Sequence, residues 1–274
     1  MIAEAVLKLG GSVEIQLPGQ EPLRAIAAAS DLPPGGFHVR RVSLAGTKES
    51  VLGTVYAMKW LRSPDQDRLE RLDLSGCTYW APGDTDYQRY LRDIQGLEEL
   101  SLAGSVVTLP ALGRMPFLKR LVLDDNPGVV PDLASLAESP LLEDLSIARA
   151  GLTDDSLGVF SKLPGLKRLV LDGNHIRGPG AAALAECTKL DELSLGCSGI
   201  SDLTAAALGK LTQVRRLSLA GSDLGDDSLK HLAGLTKLES LDLRKTKVTA
   251  AGVDTLQKAL PKCQIAWTNA PSPP

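Results

Sequence analysis

The chain has little of most things that announce a chemistry. Its longest apolar runs stay well short of the roughly 18 residues that span a bilayer, so no membrane partner is expected. The N-terminal stretch MIAEAVLKLGG has Glu4 inside a short mixed run. It lacks the basic start and long apolar segment of a secretory signal, and a cytoplasmic location is the expectation. Charge of one sign is missing too: 30 Lys and Arg face 33 Asp and Glu, for a net charge of −3. A nucleic acid needs a cationic field, so none is expected as a ligand. Sulfur gives no framework either. The four cysteines include no C-x-x-C pair and no Cys/His spacing for zinc. They point to a reduced compartment and to no metal.

Catalytic groupings are equally scarce. His38, His175 and His231 fall in different segments, with His231 expected on an exposed helix side. There is no phosphate-cradling G-x-x-x-x-G-K-[ST]. A G-x-G-x-x-A occurs at Gly178, Gly180 and Ala183. A dinucleotide site would need it directly after a strand, and here it starts seven residues later. The pairs Asp154-Asp155 and Asp226-Asp227 recur at a helix start, where capping explains them without a metal. No cofactor and no catalytic residue follow from the sequence.

What the chain does have is internal repetition. Frames begin at Leu118, Leu142, Leu166, Leu190, Val214 and Leu238, a period of 24 residues. Each reads apolar-x-x-apolar-x-apolar: LKRLVL, LEDLSI, LKRLVL, LDELSL, VRRLSL, LESLDL. Earlier frames at Val39, Leu69 and Leu97 are spaced 30, 28 and 21 residues apart. One such unit cannot bury its own apolar face and has to stack on a neighbour. The third to sixth residues alternate as a strand does. A turn follows, then Asn, Ser or Thr at the ninth position (Thr47, Ser105, Asn126, Asn174, Ser198, Ser222, Thr246), suited to bonding backbone groups that leave the sheet. Then comes a capped helix with Leu157, Phe160 and Leu163, or Leu229, Leu232 and Leu235, on one face. Cys187 takes the slot of Leu163, Leu211 and Leu235, as a buried apolar substitute. Cys77 takes the slot of Asn126 and Asn174, and with Ala150 breaks the pattern.

This pattern resembles the leucine-rich repeats, specifically the 24-residue type L-x-x-L-x-L-x-G-[TN]-x-[IL]-[TS]-D found in bacteria and related to the ribonuclease-inhibitor-like superfamily. The resemblance covers roughly residues 39–267. It implies an α/β fold: a right-handed, horseshoe-shaped solenoid with a parallel β-sheet on the concave face and short helices on the convex face. Residues 1–38 are then expected to form an N-terminal cap, with a helix near Ile2–Leu9 and a strand near Val13–Leu17. Residues 39–261 are the repeats, and residues 262–268 are a closing strand with Ile265 and Trp267 facing inward. Residues 269–274 are a proline-rich, disordered tail.

Stacked strands lie about 4.8 Å apart, so equivalent positions form rows. The second and third residues of successive frames are Glu98-Glu99, Lys119-Arg120, Glu143-Asp144, Lys167-Arg168, Asp191-Glu192, Arg215-Arg216 and Glu239-Ser240. The sign alternates at every step after Arg40-Arg41 and Glu70-Arg71. Such a stripe neutralises itself and fixes register, and the same side chains can also meet a partner. The fifth residues beside it are small, including Ser101, Ser146, Ser194 and Ser218, which suits a protein surface better than a small molecule. Six of the seven Tyr and Trp residues lie between Tyr56 and Tyr90, where the repeats are longest. Tyr56 and Trp60 fit helix packing. Tyr79, Trp80, Tyr87 and Tyr90 lie in an insertion of the kind that anchors partners. The expectation is a non-enzymatic protein-interaction scaffold. Its contact candidates are Tyr79, Trp80, Tyr87, Tyr90, Arg71, Glu99, Arg120, Asp144, Arg168, Glu192 and Arg216. The superfamily resemblance also implies an alternative, a substrate-recognition or adaptor part of a larger complex, as in ubiquitin-ligase receptors and effectors. An enzyme with an unrecognised site is the third reading.

Overall fold

The computed structural model describes residues 2–20, 22–47, 69–77, 94, 96–105, 115–127 and 130–268. They fall into two compact units, Met1–Leu142 and Glu143–Pro274.

Unit 1 starts with the helix Ile2–Lys8, which Gly10 ends at a φ of 81°. Strand β1 (Ser12–Gln16) pairs antiparallel with both β2 (Arg24–Ile26) and β3 (His38–Ser43). β4 (Arg71–Asp73), β5 (Glu99–Ser101) and β6 (Arg120–Val122) then add in parallel. β2 has too few residues to show alternation, and no sequence signal marked it. Gly11 is required by close approach: a Cβ there would stand 2.5 Å from the Ser43 carbonyl oxygen.

Unit 2 holds β7 (Asp144–Ser146), β8 (Arg168–Val170), β9 (Glu192–Ser194), β10 (Arg216–Ser218), β11 (Ser240–Asp242) and β12 (Gln264–Ala266). All are parallel, and each pairs with its sequence neighbour in a register shifted by one repeat. The first, fourth and sixth residues of each frame, such as Leu166, Leu169 and Leu171, are buried. Each leucine side chain taken out of water stabilises the stack by about 1.5–3 kcal/mol.

The helical side mixes two kinds of helix. Asp154–Lys162 and Pro179–Glu186 are 3₁₀ helices, whereas Asp202–Leu208, Asp226–Leu229 and Ala250–Ala259 are α-helical. In and just after the first, Leu157, Phe160 and Leu163 are all buried and spaced three residues apart. With three residues per turn these side chains fall on one line. Cys187 is buried as a leucine would be, and burial pushes its thiol pKa up to about 11. At the C-terminal end Ile265 and Trp267 are half-buried rather than fully inward. The Trp267 indole N–H donates to the Val248 carbonyl at 2.8 Å. The proline-rich tail lies outside the described residues.

The ninth position ties neighbouring repeats together. Asn174 is buried, its amide donates to the Ile147 and Leu171 carbonyls at 2.7 and 2.8 Å, and its carbonyl accepts from the Ala150 and Leu152 N–H groups at 3.0 Å. Every hydrogen-bonding position on that amide is used. Ser222 and Thr246, by contrast, each donate to a carbonyl of their own repeat, Leu219 and Leu243, at 2.6 Å. The Cys77 thiol lies 3.3 Å from the Leu44 carbonyl and 4.0 Å from the Thr47 hydroxyl.

Just before this slot the backbone turns left-handed. The eighth residues Gly46, Gly76, Gly104, Asp125, Arg149, Gly173, Cys197, Gly221 and Lys245 all have φ between 52° and 73°. Glycine adopts this freely, while any other residue carries a cost of about 1–2 kcal/mol.

Candidate surface for a protein partner

The exposed face of each unit's sheet carries the rows of charge. In unit 2, Arg168 sits in register between Asp144 and Glu192, and Arg216 follows beside Glu192. Arg168 reaches Asp144 at 3.0 Å and Glu192 at 2.8 Å. Arg216 reaches Glu192 at 3.1 Å and also pairs with Asp191. The second-residue row behaves the same way: Lys167 meets Glu143 at 2.8 Å, and Arg215 bridges Asp191 and Glu239 at 3.3 and 3.0 Å. Burial by itself would raise the Glu192 carboxyl, but hydrogen bonds from Arg168 and Arg216 outweigh it and hold its pKa below the usual range. Arg168, between two carboxylates, is raised although burial opposes that. These side chains range from 23% to 57% exposed, so each pair contributes only about 0–1 kcal/mol. Together they fix register.

Unit 1 begins differently. Arg41 lies in register beside Arg71, two like charges. Arg41 turns to Glu14 on the antiparallel strand β1 at 2.9 Å, and Arg71 pairs with Glu99 on β5. Lys119 meets Glu98 at 2.8 Å. Arg120 sits in register with Glu99 and is exposed.

The structure thus brings Arg71, Glu99 and Arg120 onto the sheet face of unit 1, and Asp144, Arg168, Glu192 and Arg216 onto that of unit 2. The aromatic candidates Tyr79, Trp80, Tyr87 and Tyr90, together with Tyr56 and Trp60, lie outside the described residues. His175 is exposed, while His231 is half-buried rather than exposed. Its carbonyl lies 2.4 Å from where a Cβ of Gly209 would stand, so the following repeat packs against that turn.

The aspartates at the helix starts depart from the expected role. Asp154 does not serve its own helix. Its carboxylate accepts from the N–H groups of Arg177 (3.0 Å), Gly178 (2.9 Å) and Gly180 (2.9 Å), at the start of the next repeat's helix. Asp226 accepts from the Thr249 N–H (2.8 Å) and hydroxyl (2.6 Å) of the repeat after it. The glycines at Gly178 and Gly180 are therefore room for a neighbour's carboxylate. A Cβ on Gly180 would stand 2.7 Å from the Asp154 backbone oxygen. The anion site that a G-x-G motif suggests is filled from within the chain. The spacing of 24 residues between Asp154 and Gly178 was the available signal, one repeat apart.

Among the described residues no helix is long and apolar enough to cross a membrane, and no cluster of three or more metal-binding side chains occurs.

The leucine-rich-repeat family model matches residues 164–185 and 234–256. No curated protein matches the chain. Among solved structures, internalin C2 of Listeria monocytogenes is similar with a TM-score of 0.51 and 23% identity, over 65% of this chain and 74% of that one. A leucine-rich-repeat protein of Leptospira interrogans is similar with a TM-score of 0.48 and 17% identity, over 81% of this chain and 59% of that one. The internalin likeness bears on the fold alone. It agrees with the stacked parallel strands, the buried leucine positions and the short helices described above. The chain carries leucine-rich repeats at residues 164–185 and 234–256 within an α/β solenoid fold, and leucine-rich-repeat proteins generally serve as scaffolds for binding other proteins.

Proposed function

We propose that the chain is a non-catalytic scaffold that binds a protein on its sheet face, the face that the family resemblance makes concave. The observation that carries this reading is the charge ladder around Arg168, Glu192 and Arg216. Arg168 and Glu192 are each held by neighbours on both sides and Arg216 by carboxylates on one, and so they lose little freedom on meeting a partner. Small residues such as Ser194 and Ser218 beside the ladder leave the face shallow, which fits a broad surface rather than a pocketed molecule. The alternation gives a one-signed polyanion no matching field. A partner of mixed charge is the natural complement. In this proposal the insertion bearing Tyr79, Trp80, Tyr87 and Tyr90 supplies aromatic anchors, and Arg71, Glu99, Arg120 and Asp144 extend the contact. The four free cysteines, three of them buried, fit a cytoplasmic setting.

The test uses the full chain as bait in cells of the source organism, followed by calorimetric titration of the captured protein. The Tyr79→Ala/Trp80→Ala and Arg168→Glu/Arg216→Glu variants are each expected to weaken binding by about tenfold or more. Unchanged affinity in both overturns the proposal.

A further inference from the structure

We infer that the turns leading into the strands of unit 2 form a basic strip, built by Lys162, Lys189, Lys210, Lys237, Lys258 and Lys262, that docks an acidic segment of a protein partner. This rests on the protein-binding reading and adds a second contact, with its chemistry, away from the sheet face.

The near-neutral total charge of the chain hides a segregation within unit 2. Its helices run into its strands through one repeated turn, closed each time by the same backbone bond. The N–H groups of Leu166, Leu190, Val214, Leu238 and Cys263 donate to the carbonyls of Leu163, Cys187, Leu211, Leu235 and Leu260, at 2.9–3.2 Å. Equivalent side chains on these turns therefore stack, about 5 Å apart from rung to rung. The first four turns carry one lysine each, Lys162, Lys189, Lys210 and Lys237, at spacings of 27, 21 and 27 residues. Lys162 and Lys210 precede the buried Leu163 and Leu211, whereas Lys189 and Lys237 precede Leu190 and Leu238, which open the next frames. The cation thus alternates between two columns. The last turn adds Lys258 and Lys262. All six are exposed, and none of them is paired with a carboxylate among the described residues. Glu186 is the single acid on these turns. Acids gather instead at the helix starts, where Asp154, Asp202 and Asp226 accept bonds from the next repeat.

Helix dipoles explain only part of the strip. Lys162 and Lys258 sit in the last turn of their helices, where a cation is favoured. Lys189, Lys237 and Lys262 lie three or more residues past the ends of theirs, beyond the reach of that effect. The surroundings favour an acidic protein segment over other polyanions. All six cations are lysines, without the arginine forks or aromatic faces that grip a nucleic-acid strand. The exposed large apolar side chains, Phe117, Leu141 and Leu203, lie in unit 1 or at a helix start, so these turns offer a membrane nothing to take up. Thr188, Thr212 and Thr236 stand exposed on the same turns, and their hydroxyls can donate to carboxylates. An extended chain advances about 3.3 Å per residue, so a carboxylate at every first or second residue keeps pace with the rungs.

The experiment titrates the full chain with a fluorescent dodecapeptide of alternating Glu and Gly, followed by anisotropy at physiological salt. Saturable binding is expected. Lys189→Gln/Lys210→Gln/Lys237→Gln is expected to weaken it about tenfold, since three exposed pairs are lost, and to leave the melting temperature unchanged. Lys230→Gln/Lys245→Gln/Lys247→Gln removes the same charge from elsewhere on unit 2 and should change affinity by less than about twofold, because charges beyond a Debye length are screened. Absence of saturable binding, or equal losses in the two triple variants, overturns the inference. So does tighter binding of a dodecathymidylate strand or of phosphatidylserine vesicles, which assigns the strip to phosphates. If the captured protein ignores the sheet-face variants while the peptide still depends on the three lysines, the sheet-face reading fails and this one stands. If the captured protein depends on the sheet face while the lysine variant leaves peptide affinity unchanged, this inference fails and the sheet-face reading stands.

Discussion

In unit 2 the third residues of successive strands run Asp144, Arg168, Glu192, Arg216, each flanked by its opposite. In unit 1 the same position places Arg41 beside Arg71, and an antiparallel strand outside the repeat pattern supplies Glu14 to answer the first of them. The ninth position varies within both units rather than between them: Asn126 in unit 1 and Asn174 in unit 2 each bond to two repeats, Cys77 has a thiol contact with Leu44, and Ser222 and Thr246 bond within their own repeats. Repeat length explains the difference in the charge rows. Where the spacing is constant at 24 residues, one position meets its counterpart in every neighbour, and a residue type that works once works repeatedly. Where the spacing is 30, 28 and 21, each junction needs its own solution.

The largest effect is expected at the ninth position. Asn174→Ala leaves buried carbonyls and N–H groups without partners and is expected to cost about 3 kcal/mol, against about 1 kcal/mol for Cys77→Ala. Urea denaturation measures both. Equal losses would mean that the cross-repeat bonds of Asn174 add nothing beyond what the Cys77 slot has. A middle-sized effect is expected at the glycines. Gly180→Ala drives a methyl into the Asp154 backbone and should cost about 2 kcal/mol, whereas Gly46→Ala meets open space and bears only the left-handed backbone cost of about 1 kcal/mol. Thermal melts would sharpen or erase that difference.

The smallest effect is expected from acid. The Glu192 carboxyl is lowered in the folded state. Its contribution is therefore complete above the unfolded carboxylate pKa and is lost as pH falls through the lower folded value. Stability measured from neutral pH into the acid range should fall less steeply in Glu192→Gln than in the parent. Matching slopes for the parent and Glu192→Gln would remove the ladder from the account of acid stability.

Much of this was legible in the sequence. The leucine spacing marked the strands and their burial, and the alternation of Lys119-Arg120, Glu143-Asp144 and Lys167-Arg168 marked the charge rows before any coordinates. A periodic pattern repeats its evidence, so a single exception cannot hide it. What was not legible depends on pairs of repeats rather than on one. Asp154 reads locally as the cap of its own helix, because capping signals are judged within a few residues, and its true partners are a full period away. β2 is too short for periodicity to mark. The 3₁₀ form of Asp154–Lys162 was not legible, because the same three-residue spacing at Leu229, Leu232 and Leu235 goes with the α-helical Asp226–Leu229.

That displaced cap has an evolutionary corollary. A carboxylate in one segment and the glycines that receive it in the next form a single heritable module, cut differently from the visible leucine frame. Duplication or deletion at the frame boundary would separate Asp154 from Gly178 and Gly180 unless the neighbouring copy brought its own pair. Breakpoints outside residues 154–180 keep this pair together, whereas a chimaera spliced anywhere between Asp154 and Gly178 separates it and should fold less stably.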